Sequence, residues 1–134
     1  MEPAKPILST PNINEDLEIN EMIEPKSFEI EINNKKCKFE IAKSKNNKGI
    51  IFKVSFISAL EYYFLFISED ELYNLNPFFK LYQNLNEIFT LLVDTINDKN
   101  YSVSLQDSFV SLVFKFSLLK GKIVDIKFNL NKKK

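Results

Sequence analysis

The sequence predicts a mainly β fold with an inserted helical pair (α+β). The expected architecture is a seven-stranded antiparallel sandwich or partly open barrel, with a helix-turn-helix between strands 4 and 5. Three observations predict it. From residue 27 to residue 131, most of the chain alternates apolar and polar residues with a period of two, as strands with one wet face do. Between Leu60 and Leu105 that alternation breaks. There Leu85, Ile88, Phe89, Leu92, Val93 and Ile96 recur at the 3.6-residue spacing of a helix with a broad buried stripe. After it, the period of two returns in three further runs.

Composition sets the frame. At 134 residues the chain is long enough for one domain with a core of its own. The lone Cys37 has no partner for an internal disulfide, which points to a reducing compartment, and a cytoplasmic location is the expectation, with the nucleus as the alternative. The longest apolar run, Tyr62 to Ile67, is strand-sized and far short of the roughly 20 residues of a membrane-spanning helix. The 18 basic residues are all lysines and balance 18 acids, but unevenly. Residues 1–25 hold six acids against Lys5, so the body carries the compensating positive charge.

Residues 1–26 carry four prolines and no sustained period, and are expected to form a flexible acidic extension. Its sparse apolar residues Ile13, Leu17, Ile19, Met22 and Ile23 could order against a partner or fold back on the chain's own sheet. The domain proper is expected at 27–131, with 132–134 as a lysine tail. Phe28, Ile30 and Ile32 alternate with Glu29 and Glu31; Cys37, Phe39 and Ile41 alternate with Lys38 and Glu40. A two-residue loop at Asn34-Lys35 would set Ile32 opposite Cys37 and Glu31 opposite Lys38. Lys43 to Gly49 makes the next turn, and Ile50 to Ile57 the third strand. Glu61 to Ile67 is apolar on both faces, so something must pack over its outer face, and the helical pair is the expected cover.

Ser68 with Glu71 has the spacing of a capping box, and Glu69, Asp70 and Glu71 complement the helix dipole. Asn76-Pro77 ends that helix. Phe78 and Phe79 are adjacent, so one of them is expected to be exposed. Asn84 and Glu87 repeat the cap for the second helix. Tyr101 to Leu105, Phe109 to Leu118 and Val124 to Leu130 complete the strands, the last two joined at Lys120-Gly121.

The residue types restrict the chemistry. Histidine, arginine and tryptophan are absent, which removes imidazole-based triads and acid–base catalysis of the commonest kind. Cys37 falls on a core-facing position, and the acids at 69–71 are explained by capping. Two glycines make no phosphate-cradling loop. The expectation is therefore a chain that is not an enzyme, with no catalytic residue, cofactor or metal site and no small-molecule substrate. Thirteen phenylalanines interleaved with lysines could stack single-stranded bases, but the rings fall on inward positions and the lysines outward, so nucleic acid is not the expected partner. The chemistry points to a protein–protein interaction or structural assembly module, with self-association among its possible partnerships. The alternative is a carrier of a small apolar ligand or lipid in a Phe-rich barrel. Phe109, Leu118 and Leu119 are the apolar residues expected near solvent as a protein interface.

The order of four strands, helix-turn-helix and three strands resembles the globular head shared by the end-joining ligase scaffold proteins and the centriolar cartwheel (spindle assembly abnormal) proteins. Tyr63 to Leu72 is similar to the strand-into-helix passage of cartwheel heads, and Phe109 to Leu130 to their final hairpin. The resemblance implies a non-catalytic head that associates with other heads, in a cytoskeletal, centriolar or ciliary scaffold. It also implies an apolar side chain near the penultimate hairpin that enters a partner's pocket, the place held here by Phe109. Such heads continue into a long coiled coil, whereas four residues follow Leu130 here.

Overall fold

The computed structural model describes residues 22–45, 48–59 and 61–133, apart from the Leu119 side chain. Seven antiparallel strands form one sheet: β1 (Met22–Ile32), β2 (Lys35–Ser44), β3 (Gly49–Phe56), β4 (Tyr62–Ser68), β5 (Tyr101–Leu105), β6 (Phe109–Ser117) and β7 (Ile123–Lys133). Their order across the sheet is β1-β2-β3-β4-β7-β6-β5. Between β4 and β5 come α1 (Glu69–Leu75), a 3-10 turn (Pro77–Leu81) and α2 (Leu85–Asn97). The sheet curls into a half-barrel, so the partly open barrel is the form adopted. Its edges β1 and β5 approach across the mouth, with the Phe39 ring 6.2 Å from both Phe28 and Tyr101.

The first hairpin turns at Asn33-Asn34, one residue earlier than Asn34-Lys35. Ile30 lies opposite Cys37, Phe28 opposite Phe39 and Glu29 opposite Lys38. The two-residue register shift leaves every side chain on its expected face. Asn33 and Asn34 both adopt positive φ, 53° and 66°. A two-residue loop of the favoured hand needs this at both positions, and asparagine tolerates it better than lysine. β1 starts at Met22, inside the stretch expected as extension. Its first residues pair with Ser44 and Lys43, then bulge at Glu24-Pro25 before pairing resumes at Lys26. An edge strand accommodates proline because no ladder donor is lost there. β7 runs on through Lys133, with Lys132 opposite Tyr63, so the expected lysine tail is strand as far as Lys133.

The core lies on the concave face. Phe39, Phe52, Phe114 and Phe128 are fully buried or nearly so. The Phe52 ring sits 4.8 Å from Phe128 and 6.2 Å, edge-on, from Phe114, the spacing at which aromatic pairs attract. The helices close this face. α2 lies against β2, β3 and β6, and α1 against β4; Leu72, Leu85, Ile88, Phe89, Leu92 and Ile96 enter the same cluster. The helical pair thus fills the inside of the curl and not the outer face of β4 that it is expected to cover, because its buried apolar side chains join the concave core. Phe78 and Phe79 are both buried, contrary to the expectation that one would be exposed. Consecutive residues of the 3-10 turn wedge into the sheet together, Phe78 stacked on Phe116 at 4.8 Å and Phe79 edge-on to it at 6.2 Å.

Candidate interaction surface

Local sequence fixes the helical cap. The Ser68 hydroxyl accepts from the Glu71 amide at 3.1 Å, and a Glu71 carboxylate oxygen accepts from the Ser68 amide at 2.9 Å, completing the capping box. Asn76 accepts from the Phe78 amide at 2.9 Å, and Pro77 begins the 3-10 turn where no amide donor is required. Asn84 accepts from the Glu87 amide at 3.0 Å, while Glu87 reaches back to the Gln83 amide at 2.9 Å. The Lys43 ammonium donates to the Asn86 side-chain oxygen and lies 5.7 Å from the Phe89 ring centre. β2 and the start of α2 are thereby tied together.

With Phe79 pinned inside, the turn presents its last residue outward: Leu81 is 71% exposed. Beside it lies a shallow groove of about 420 Å³, lined by Tyr82, Asn86, Glu87, Thr90, Leu91 and Asp94. Tyr82 and Leu91 give it an apolar floor, and Glu87 and Asp94 an acidic rim. Lys80, next to Leu81, is exposed and cationic. Burial, and then the nearby Glu87 charge, hold the Tyr82 phenol above its ordinary range. It therefore stays neutral and able to pack at any physiological pH.

The residues singled out in the sequence are not gathered on one patch. Phe109 is half-buried at the start of β6, opposite Asn131. Leu118 follows the other end of that strand, roughly 30 Å away at about 3.4 Å per residue, half-buried against the core. The Leu119 side chain lies outside the described residues. Leu81 was not singled out, although Phe78-Phe79-Lys80-Leu81-Tyr82 packs four large apolar residues into five positions, more than one short turn can bury.

Cys37 is fully buried, and burial pushes its thiol pKa up, away from the reactive thiolate. Tyr73 donates to Glu69 at 2.9 Å within α1, and that hydrogen bond raises its pKa. Among the described residues no group of three or more His, Cys, Asp or Glu side chains converges as metal ligands, and no helix is long and apolar enough to cross a membrane. The chain matches no protein-family model, and no curated protein matches it significantly.

Proposed function

We propose that this chain is a non-catalytic protein–protein interaction module that pairs with a second copy through its helical cap. The observation that carries this reading is the exposed Leu81 standing next to the Tyr82–Leu91 groove. A knob and a groove on one face are self-complementary about a twofold axis, so each copy's Leu81 enters the other's groove. The same operation brings Lys80 of each copy towards the Glu87 and Asp94 rim of the other, opposite charge meeting opposite charge. The aromatic rings that occupy the concave interior favour this reading over a ligand carrier. The resemblance to cartwheel and ligase-scaffold heads supports assigning the module to a cytoskeletal, centriolar or ciliary assembly in the cytoplasm.

Sedimentation velocity over a concentration series tests it. Burying one leucine side chain contributes about 1.5–3 kcal/mol, and a twofold contact counts it twice. Leu81→Glu is therefore expected to weaken association by about 10²- to 10⁴-fold. Phe109→Glu tests the contact that the resemblance implies. Loss with Leu81→Glu and retention with Phe109→Glu supports the cap. Loss with Phe109→Glu alone moves the contact to the start of β6. A wild-type chain that stays monomeric throughout, or an association that neither substitution changes, overturns the proposal.

A further inference from the structure

The β6–β7 hairpin ends in a turn that the cap contact does not use. Ser117 pairs with Ile123, and between them the Leu118 amide donates to the Lys122 carbonyl at 2.7 Å. Lys120 and Gly121 form the apex, both with positive φ, 66° and 74°. The register sets Val124 beside Phe116 on the core side, and so turns Ile123 to the outer face of the sheet, where it is 64% exposed. Lys120, Gly121 and Lys122 are exposed beside it. From Ser108 to Val124 the chain holds Lys115, Lys120 and Lys122 and no acid. The next acid, Asp125, lies 3.5 Å from the Lys115 ammonium. Among the described residues neither Lys120 nor Lys122 has an ion pair. The turn needs its positive-φ residues, but its geometry makes no demand for an exposed isoleucine between uncompensated cations.

We propose that this tip binds the surface of an anionic phospholipid bilayer, with Ile123 entering the boundary between headgroups and acyl chains. The Lys120 and Lys122 ammoniums stay at the level of the lipid phosphates. Charge complementarity selects the lipid: two free cations meet an anionic surface, and each lysine stem can lie along the acyl boundary while its ammonium stays wet. Shape favours a bilayer over a protein. Residues 120–123 are exposed in succession and form a protrusion, so a protein partner would have to supply a fitted pocket. A bilayer admits any protruding apolar side chain flanked by cations. The contact is peripheral and reversible, because one isoleucine and two lysines hold the chain only weakly. It does not depend on pairing through the cap, since a single copy carries the whole tip.

Co-sedimentation of the full chain with phosphatidylcholine vesicles, with and without about one-third phosphatidylserine, tests it. Binding is expected only to the anionic vesicles, and is expected to weaken as salt is raised. Lys120→Gln with Lys122→Gln is expected to weaken it by about 30-fold, about fivefold for each lysine near such a surface. Ile123→Ser, at an exposed position outside the core, is expected to weaken it several-fold with both lysines in place. Lys26→Gln with Lys99→Gln removes the same charge from exposed positions elsewhere and is expected to change binding by less than about twofold. Losses confined to the tip variants support the proposal. Failure to bind anionic vesicles at low salt, equal losses from the two lysine pairs, or binding indifferent to Ile123→Ser would each overturn it. Capture by soluble polyglutamate as tight as by the vesicles would also overturn it, because charge alone would then explain the binding.

Discussion

Replacing Phe79 with alanine tests the wedge that closes the concave face and sets Leu81 outward. Phe79 is fully buried, with ring centres 5.7 Å from Phe78, 6.2 Å from Phe116 and 6.5 Å from Phe128. Buried Phe→Ala changes cost about 3–5 kcal/mol, the upper part of that range where the surroundings cannot collapse. Phe116 and Phe128 are held by the β6–β7 ladder, so about 4 kcal/mol or more is expected here. A chain of 134 residues has a total stability of roughly 7–20 kcal/mol at typical values per residue. The loss is therefore a large fraction. With a urea slope of about 2 kcal/mol/M, the unfolding midpoint falls by about 2 M. Exposed Lys80→Ala, on the same turn, is the control and is expected to shift stability by less than about 0.5 kcal/mol. A Phe79→Ala loss below about 1 kcal/mol would refute the reasoning, because the turn would then not be seated on the sheet.

Other substitutions probe the β3 entry and the titrating groups. Gly49→Ala is expected to destabilise by about 2 kcal/mol or more in the same urea titration, since a Cβ there would lie 2.3 Å from the Ile67 carbonyl oxygen and 2.9 Å from the Phe66 ring. Ser44→Ala removes the hydroxyl that accepts from the Lys48 and Gly49 amides, each at 3.1 Å, and is expected to cost about 1–3 kcal/mol, chiefly by leaving the buried Gly49 donor unpaired. Burial raises the Tyr101 phenol and the Cys37 thiol above their ordinary values of 10.0 and 9.0. The folded state then holds these protons longer than the unfolded state. Their contribution is fully present below pH 9 and is lost as pH rises through the raised values. Thermal melts should fall in alkali, and Tyr101→Phe should flatten that fall above pH 10.

Much of the fold was legible because alternation and helical period are consequences of burial. The capping residues Ser68 and Asn84 marked helix starts through the backbone donors they satisfy, and Asn76-Pro77 marked the end of α1; that Asn76 also caps the 3-10 turn emerged only from the structure. Other features rest on geometry that alternation does not encode. A two-residue slip in the first hairpin keeps every side chain on its face, so alternation could not detect it; only the positive φ required of Asn33 and Asn34 decides between the registers. The apolar character of both faces of β4 pointed to helices over its outer face, but alternation does not say which apolar face lies inside the curl, and the helices pack there. The Phe78-Phe79 pair misled because a 3-10 turn set edgewise against a curled sheet buries neighbours that a flat surface would separate. Leu81 was hidden in the same run of residues. Its exposure follows from the burial of Phe78 and Phe79 beside it, which is a property of packing rather than of composition.

A charge exchange across the cap tests the twofold pairing most directly. Lys80→Glu alone and Asp94→Lys alone each place like charges face to face, and each chain is expected to sediment as a monomer. Mixed in equal amounts, the two variants restore both attractive contacts, and the account predicts a heterodimer in the mixture at concentrations where neither variant dimerises by itself. A mixture that sediments as the sum of two monomers, or variants that dimerise as well as the unaltered chain, would contradict it.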